Sequence, residues 1–221
     1  MGRVADHGQR RLQIVGGVAE VARTTGLGSV TIARAAHAAG VSVGLVQHYY
    51  PSKEDLLIDT FTSLRAGVLH RIDAEIERAE RRGARIEDMM ISGLSQLLPL
   101  TPRRRDEVYL SHAFAGLALE NEQLRQHLER AHGDVRDRIE SALVNGTQCG
   151  EVDEETDAVS AAFGVAALTD GLAAQLLVRA GTAEKSLANA VLSGEVARLC
   201  PGECTRHGYR DRSAHGTRGR E

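Results

Sequence analysis

Residues 31–57 read TIARAAHAAGVSVGLVQHYYPSKEDLL, and the placing of their capping, small and glycine residues decides the fold. Thr31 can cap a short helix over Ile32–Ala39 by accepting hydrogen bonds from the unpaired N–H groups of its first turn. Gly40 ends that helix, because glycine enters the positive-φ region of a tight turn at little cost. Ser42 then caps a further helix over Val43–Tyr49. Pro51 closes it, since the residue before a proline is pushed out of the α region. Ala36, Gly40 and Val46 obey the spacing A-x3-G-x5-V. A small residue suits two helices that cross, a glycine suits the turn between them, and an apolar anchor ties the second helix to a shared core. This is the kit of a helix-turn-helix over 32–51, with Ser42, Val43, Gly44, Gln47 and His48 turned outward at a size that a major groove admits.

Upstream, Val15, Val18, Ala19 and Ala22 fall at i, i+3, i+4 and i+7, the stripe of an amphipathic helix over 9–25. Gly26-Leu27-Gly28 ends it, and residues 1–8 read as a loose arm. Downstream, Ser52-Lys53-Glu54-Asp55 has the capping-box pattern. It opens a long helix whose stripe runs Leu57, Phe61, Leu64, Val68, Ile72 and Ile76, to an end near Gly83. Further helices are predicted over 86–98, 103–117, 120–147, 153–180 and 183–199, punctuated by Pro99, Pro102, Gly146, Gly150 and Gly181. Beyond Pro201 the chain turns to Gly, Arg, His and Ser, a composition that favours disorder. The expected organisation is therefore a DNA-binding head over 9–60, an effector-binding and dimerisation body over 61–200, and a tail over 201–221.

Composition agrees with an all-α chain. Of 221 residues, 42% are hydrophobic but only 3% aromatic, with no Trp and four Pro. Strands want more β-branched and aromatic residues than that. Three cysteines are too few and too odd in number for a disulfide framework, which points to a reducing, cytoplasmic setting. No apolar leader follows Met1, and the apolar stretch 158–169, bounded by Asp157 and Asp170, is too short to span a bilayer, so no membrane is expected. Charge is uneven. Residues 1–55 and 201–221 each carry +2 and the segment between carries −7, for a net −3. A basic head on an acidic body fits a protein that meets a polyanion at one end.

The segment Ala39-Gly40-Val41-Ser42, followed by His48-Tyr49-Tyr50-Pro51-Ser52-Lys53-Glu54-Asp55-Leu56, resembles the DNA-binding domain of TetR-family transcriptional regulators. The likeness is close over 9–60. It extends loosely to about 199 through helix order and an Ala-Leu-Thr-Asp-Gly-Leu-Ala segment at 167–173, and within the family it is nearest the BetI-type repressors. The resemblance implies that Thr31 touches phosphate and that Ser42 caps the recognition helix. Val43, Gly44 and Gln47 would then approach base edges, while Tyr49 and Lys53 hold the DNA backbone, with His48 outward beside them. Read from the residues, Arg10, Arg11 and Arg34 are further phosphate candidates. Gln47 departs from the pattern, standing where the family usually has Tyr; Ala35 stands where a larger aliphatic is common. Read without the resemblance, Thr31, Ser42 and Ser52 need be no more than caps, and Tyr50 no more than a cover for the small core.

Two-fold dimers bring two reading heads to two half-sites. The apolar helices predicted over 153–180 and 183–199 are the expected interface, through Phe163, Ala167, Leu168, Gly171, Ala174, Gln175, Val178, Leu187, Val191 and Leu192. The resemblance also implies an effector cavity in the body. Its candidate lining is Met89, Met90, Leu94, Leu98, Tyr109, His112, Phe114, Leu117, Leu124, His127 and Phe163. So few aromatics argue against an aromatic cage for a quaternary ammonium ligand.

Enzyme motifs are missing: there is no G-x-S-x-G, H-E-x-x-H or P-loop, so neither catalysis nor a cofactor is expected. Glu129-Arg130-Ala131-His132 is a single E-x-x-H and reads as a solvated face. Cys200-x3-Cys204-x2-His207 has the residue types of a metal site but lacks a fourth ligand, with Cys149 far off in the chain, so no metal is expected. The expected function is a ligand-responsive repressor that binds a palindromic operator as a homodimer. The alternatives are a small-molecule-binding helical protein or enzyme with a vestigial helix-turn-helix, and a regulator acting on a protein partner through its Arg-rich tail.

Overall fold

The computed structural model describes residues 2–204, with side chains from residue 7 onward, and among them holds helices and turns but no strand. The helices are α1 (Gly2–Thr25), α2 (Ile32–Ala39), α3 (Val43–Tyr49), α4 (Lys53–Glu80), α5 (Ile86–Leu94), α6 (Pro102–Ala118), α7 (Glu122–Cys149), α8 (Ala158–Val178) and α9 (Thr182–Leu199). The tail beyond residue 204 lies outside the described residues.

Helix ends form where the local chemistry places them. The Thr31 hydroxyl accepts from the Arg34 N–H at 3.2 Å, Ser42 from Leu45 at 3.2 Å and Ser52 from Asp55 at 3.0 Å. Gly40 takes φ 65°, which frees the Val41 N–H to donate to the Ala36 carbonyl at 3.0 Å and closes the turn of the helix-turn-helix.

Three expectations need correction. Residues 2–8 are not a loose arm but the first turns of α1: they lack an apolar stripe, yet hold no proline, and extending an existing helix costs little. The helix predicted from 86 stops at Leu94 and tightens into a 3-10 turn over Ser95–Leu97, because Pro99 holds Leu98 extended. The helix predicted from 153 begins only at Ala158, where the Asp157 carboxylate accepts from the Val159 and Ser160 N–H groups at 3.2 Å.

Buried side chains form two clusters. The first joins Ile14, Val18 and Ala22 of α1, Val46 of α3 and Leu56 and Phe61 of α4, and then continues into Phe114 and Ala118 of α6 and Leu124 of α7. The head is therefore seated on the body through a shared core rather than hung from a linker. The second cluster gathers Leu98, Leu143, Val165, Leu192 and Val196 from the far half of the body. Full burial of a Leu, Val or Phe contributes about 1.5–3 kcal/mol each.

Candidate nucleic-acid interface and body cavities

The start of α3 is presented to solvent. Ser42, Val43, Gly44, Gln47 and His48 are exposed along one face, while Val46 on the opposite face is fully buried. Thr31 and Arg34 are exposed beside them on α2. The Arg34 guanidinium donates to the Ser29 carbonyl and the Thr25 hydroxyl, both at 3.1 Å, and the Lys53 ammonium donates to the Gly28 carbonyl at 3.1 Å. Both cations thus brace the turn after α1 and flank the α3 face. Tyr49 is half-buried, its hydroxyl 2.8 Å from Nδ1 of His7 on α1. Tyr50 is buried, its hydroxyl donating to Asp59 at 2.5 Å, and Asp59 also pairs with Arg11. Burial, and next the bond to Asp59, push the Tyr50 phenol up to about 12. Tyr50 is a core cover, and Arg11 is engaged within the head.

Among the described residues, the body holds a larger and a smaller cavity. The larger, about 790 Å³, is walled by α4, α5 and α7 and includes Met89, Met90 and Leu94 with Ile72, Ile76, Ile86, Leu97, Val135, Ile139 and Ala142. Its polar lining includes Arg85, Arg138, Asp137, Gln148 and the buried Glu151, and no aromatic ring is among its lining residues. The smaller, about 290 Å³, lies between α4, α6, α7 and α8, and holds Phe61, Arg65, His112, His132, Phe163 and Asp170. Leu97 and Val135 line both. In the smaller cavity the His112 Nδ1–H donates to the Val108 carbonyl at 3.0 Å, while its buried Nε2 stands 3.7 Å from Asp170. Desolvation is the first cause that lowers the His132 and Arg65 pKa values below their usual ranges.

Of the expected lining, Met89, Met90 and Leu94 meet in one cavity and His112 and Phe163 in the other. The rest lie elsewhere. Leu98 is sealed in the second core. Phe114 stacks on Phe61 with centroids 3.9 Å apart, and Leu117 and Leu124 pack into the first core. The Tyr109 hydroxyl donates to the Ala22 carbonyl of α1 at 3.4 Å, and His127 is half-exposed on α7 away from both cavities. Apolar spacing marks an inward face but not whether that face meets a neighbour or a void. Sequence reading missed Arg65, His132 and Asp170; a charge at Arg65, four residues from Phe61 on the buried stripe of α4, was the available signal.

The far side of α8 and α9 is an open apolar surface. Phe163 is 63% exposed, Val178 90% and Leu187 65%, and Val159 and Val191 continue the patch. Ala167, Gly171 and Gln175 are exposed on it, while Leu168 and Ala174 are half-buried at its margin. Leu192 instead faces the second core. Helix α8, 21 residues long with mean hydropathy 1.6, is long and apolar enough by length and composition to cross a membrane, unlike the shorter stretch 158–169 read by itself. It carries Asp170 near its middle.

Cys149 is not remote from Cys204: their sulfurs and a Glu151 carboxylate oxygen converge. Cys200 is buried in the second core, and His207 lies outside the described residues.

The family model for bacterial regulatory proteins of the tetR family matches residues 14–60, and that for the C-terminal part of BetI-type transcriptional repressors matches residues 87–201. The HTH-type transcriptional regulator BetI of Escherichia coli strain K12 is 30% identical over 190 residues, covering 82% of this chain and 89% of that protein. A transcriptional regulator from Rhodococcus sp. Rha1 superposes with a TM-score of 0.74 at 24% identity, over 86% of this chain and 95% of that one. A regulator from Saccharomonospora viridis, solved in complex with choline, gives 0.74 at 21% identity, over 89% and 99%.

Proposed function

Given that the chain belongs to the TetR family of regulators, with a body of the BetI type, we propose that it is a ligand-responsive repressor that binds a palindromic operator as a homodimer. It is a DNA-binding transcriptional regulator of helix-turn-helix type. The observation that carries the fuller reading is the α3 face: a capped helix whose first turn is exposed, held by Val46 from behind and flanked by Arg34 and Lys53. Val43, Gly44 and Gln47 are taken to read base edges, with Thr31, Ser42, His48, Tyr49 and Lys53 positioning the backbone. The open face of α8 and α9 is taken to pair with its copy, which would bury the apolar patch in a four-helix bundle. That pairing, with Asp170 in mid-helix, favours a cytoplasmic protein over a membrane-spanning one.

The effector is taken to enter the larger cavity, whose hydrocarbon walls suit an apolar or amphiphilic molecule. Choline, bound by the S. viridis regulator, is not the expected ligand, since quaternary ammonium recognition relies on aromatic faces. An effector that binds the DNA-incompetent spacing of the heads more tightly would release the operator. The test is a titration of the chain against duplex from its own upstream region at several salt concentrations. Affinity should fall steeply with salt, because each neutralised phosphate releases counterions. A flat dependence would return the reading to a small-molecule-binding protein with a vestigial head.

A further inference from the structure

The loop after α7 is pressed onto its own helix. A Cβ at Gly146 would collide with the Val152 side chain, and Gly150 takes φ 92° to make the reversal. The fold-back holds Glu151 at 1% exposure. One carboxylate oxygen accepts the Ile86 N–H at 2.9 Å, and the other stands 3.8 Å from the Cys149 sulfur. The chain beyond α9 returns to the same place. Gly202 donates to the Glu151 carbonyl at 3.0 Å, and Arg85 donates to the carbonyls of Gly202 and Cys200 at 2.6 and 3.3 Å. A Cβ at Gly202 would collide with the Gly150 carbonyl, so only glycine lets this strap lie so close. The strap carries Cys204 to Cys149 and Glu151, and the two sulfurs and a carboxylate oxygen lie within 4.8 Å of one another.

We propose that Cys149, Glu151 and Cys204 form a site for a thiophilic divalent cation of the zinc class. Donor atoms on a tetrahedral zinc ion stand roughly 3.5–3.8 Å apart, given bonds of about 2.0–2.3 Å. Closing the trio onto an ion therefore takes a movement of about 1 Å or less. Thiolate donors disfavour magnesium and calcium, and the carboxylate disfavours monovalent copper, which takes soft ligands alone. Charge also favours a divalent ion. Two thiolates and one carboxylate are offset mainly by the divalent ion, with Arg85, whose Nε is 3.5 Å from Glu151 and which also pairs with Glu87 at 3.2 Å, lending part of its charge. As each cysteine ligates, its S–H bond breaks, the proton passes to solvent and the sulfur lone pair bonds the metal, with no change of oxidation state. All three residues line the larger cavity. The ion would staple the C-terminal strap, the loop and the end of α7 together at the cavity wall.

The test uses the full chain, stripped with a chelator and kept reduced with a phosphine. Zinc is titrated in competition with a chromogenic chelator, and cobalt(II) serves as the spectroscopic probe. The expected results are one zinc bound per chain, a raised melting temperature and a thiolate-to-cobalt charge-transfer band in the near ultraviolet. Cys200→Ser should retain the band; Cys149→Ser and Cys204→Ser should each lose half of it or more. Cys204 is only partly buried, so Cys204→Ser carries the test if Cys149→Ser fails to fold. No uptake by the reduced chain, or uptake unchanged in Cys204→Ser, would overturn the proposal. A Cys149–Cys204 disulfide that forms in air while the reduced chain takes up no metal would overturn it as well.

Discussion

Gly17 of α1 and Ala39 of α2 meet through their backbones: a Cβ at position 17 would stand 2.7 Å from the Ala39 amide nitrogen and 2.8 Å from its methyl group. The Ala35 carbonyl is equally close at 2.7 Å. Neither backbone can yield without moving α2 and, with it, the turn that aims α3. Gly17→Ala is expected to destabilise the head by about 1–3 kcal/mol, seen as earlier urea unfolding, and to weaken DNA binding alongside. Wild-type stability in this variant would mean that α1 and α2 do not approach so closely.

Tyr50 and Asp59 give the head an alkaline limit. The folded phenol is raised to about 12 from an ordinary value of 10, so between those values the folded chain holds a proton that the unfolded chain has lost. Stability from this group is full below pH 10 and drains away as pH rises toward 12. Urea midpoints measured across that window should fall more steeply for the wild type than for Tyr50→Phe. At neutral pH the same variant should cost about 1 kcal/mol for the lost hydrogen bond. Parallel pH profiles would contradict the buried phenol.

Much of the head could be read before any coordinates, because its determinants are local. Thr31, Ser42 and Ser52 act within three residues of themselves, and Gly40 bends the chain at its own φ. The body was legible only as a set of helices. Whether Phe114 faces a cavity or stacks on Phe61, and whether Cys149 meets Cys204, depends on segments tens of residues apart and on how helices of similar apolar stripe settle against one another. His112 and Phe114 are two residues apart on α6, yet one lines a cavity and the other closes the head core. The helical period puts them on opposite faces of α6, but it does not say which face meets a void and which meets Phe61.

Gln47 and Lys53 test the division between reading and anchoring. Gln47→Ala should cost about 1–3 kcal/mol on the operator, roughly 5- to 150-fold, with little change on unrelated duplex. Lys53→Ala should weaken both sequences alike and reduce the salt slope by about one. Fluorescence anisotropy against the two duplexes resolves these patterns; equal effects on both sequences from Gln47→Ala would remove it from the base-reading set.

The apolar face of α8 and α9 predicts assembly. Val178→Glu with Leu187→Glu puts charge onto two of its most exposed apolar positions, 90% and 65% accessible in the single chain. Sedimentation velocity should show a dimer for the wild type and a monomer of retained helicity for the double variant. A variant that remains dimeric would place the interface elsewhere.

The most direct check of the whole account is the composition of the complex on a single operator duplex, measured by native mass spectrometry or analytical ultracentrifugation. Two chains per duplex, protecting two half-sites whose centres lie about one helical turn or a multiple of it apart, is the predicted result. One chain per duplex, or protection confined to a single half-site, would contradict it.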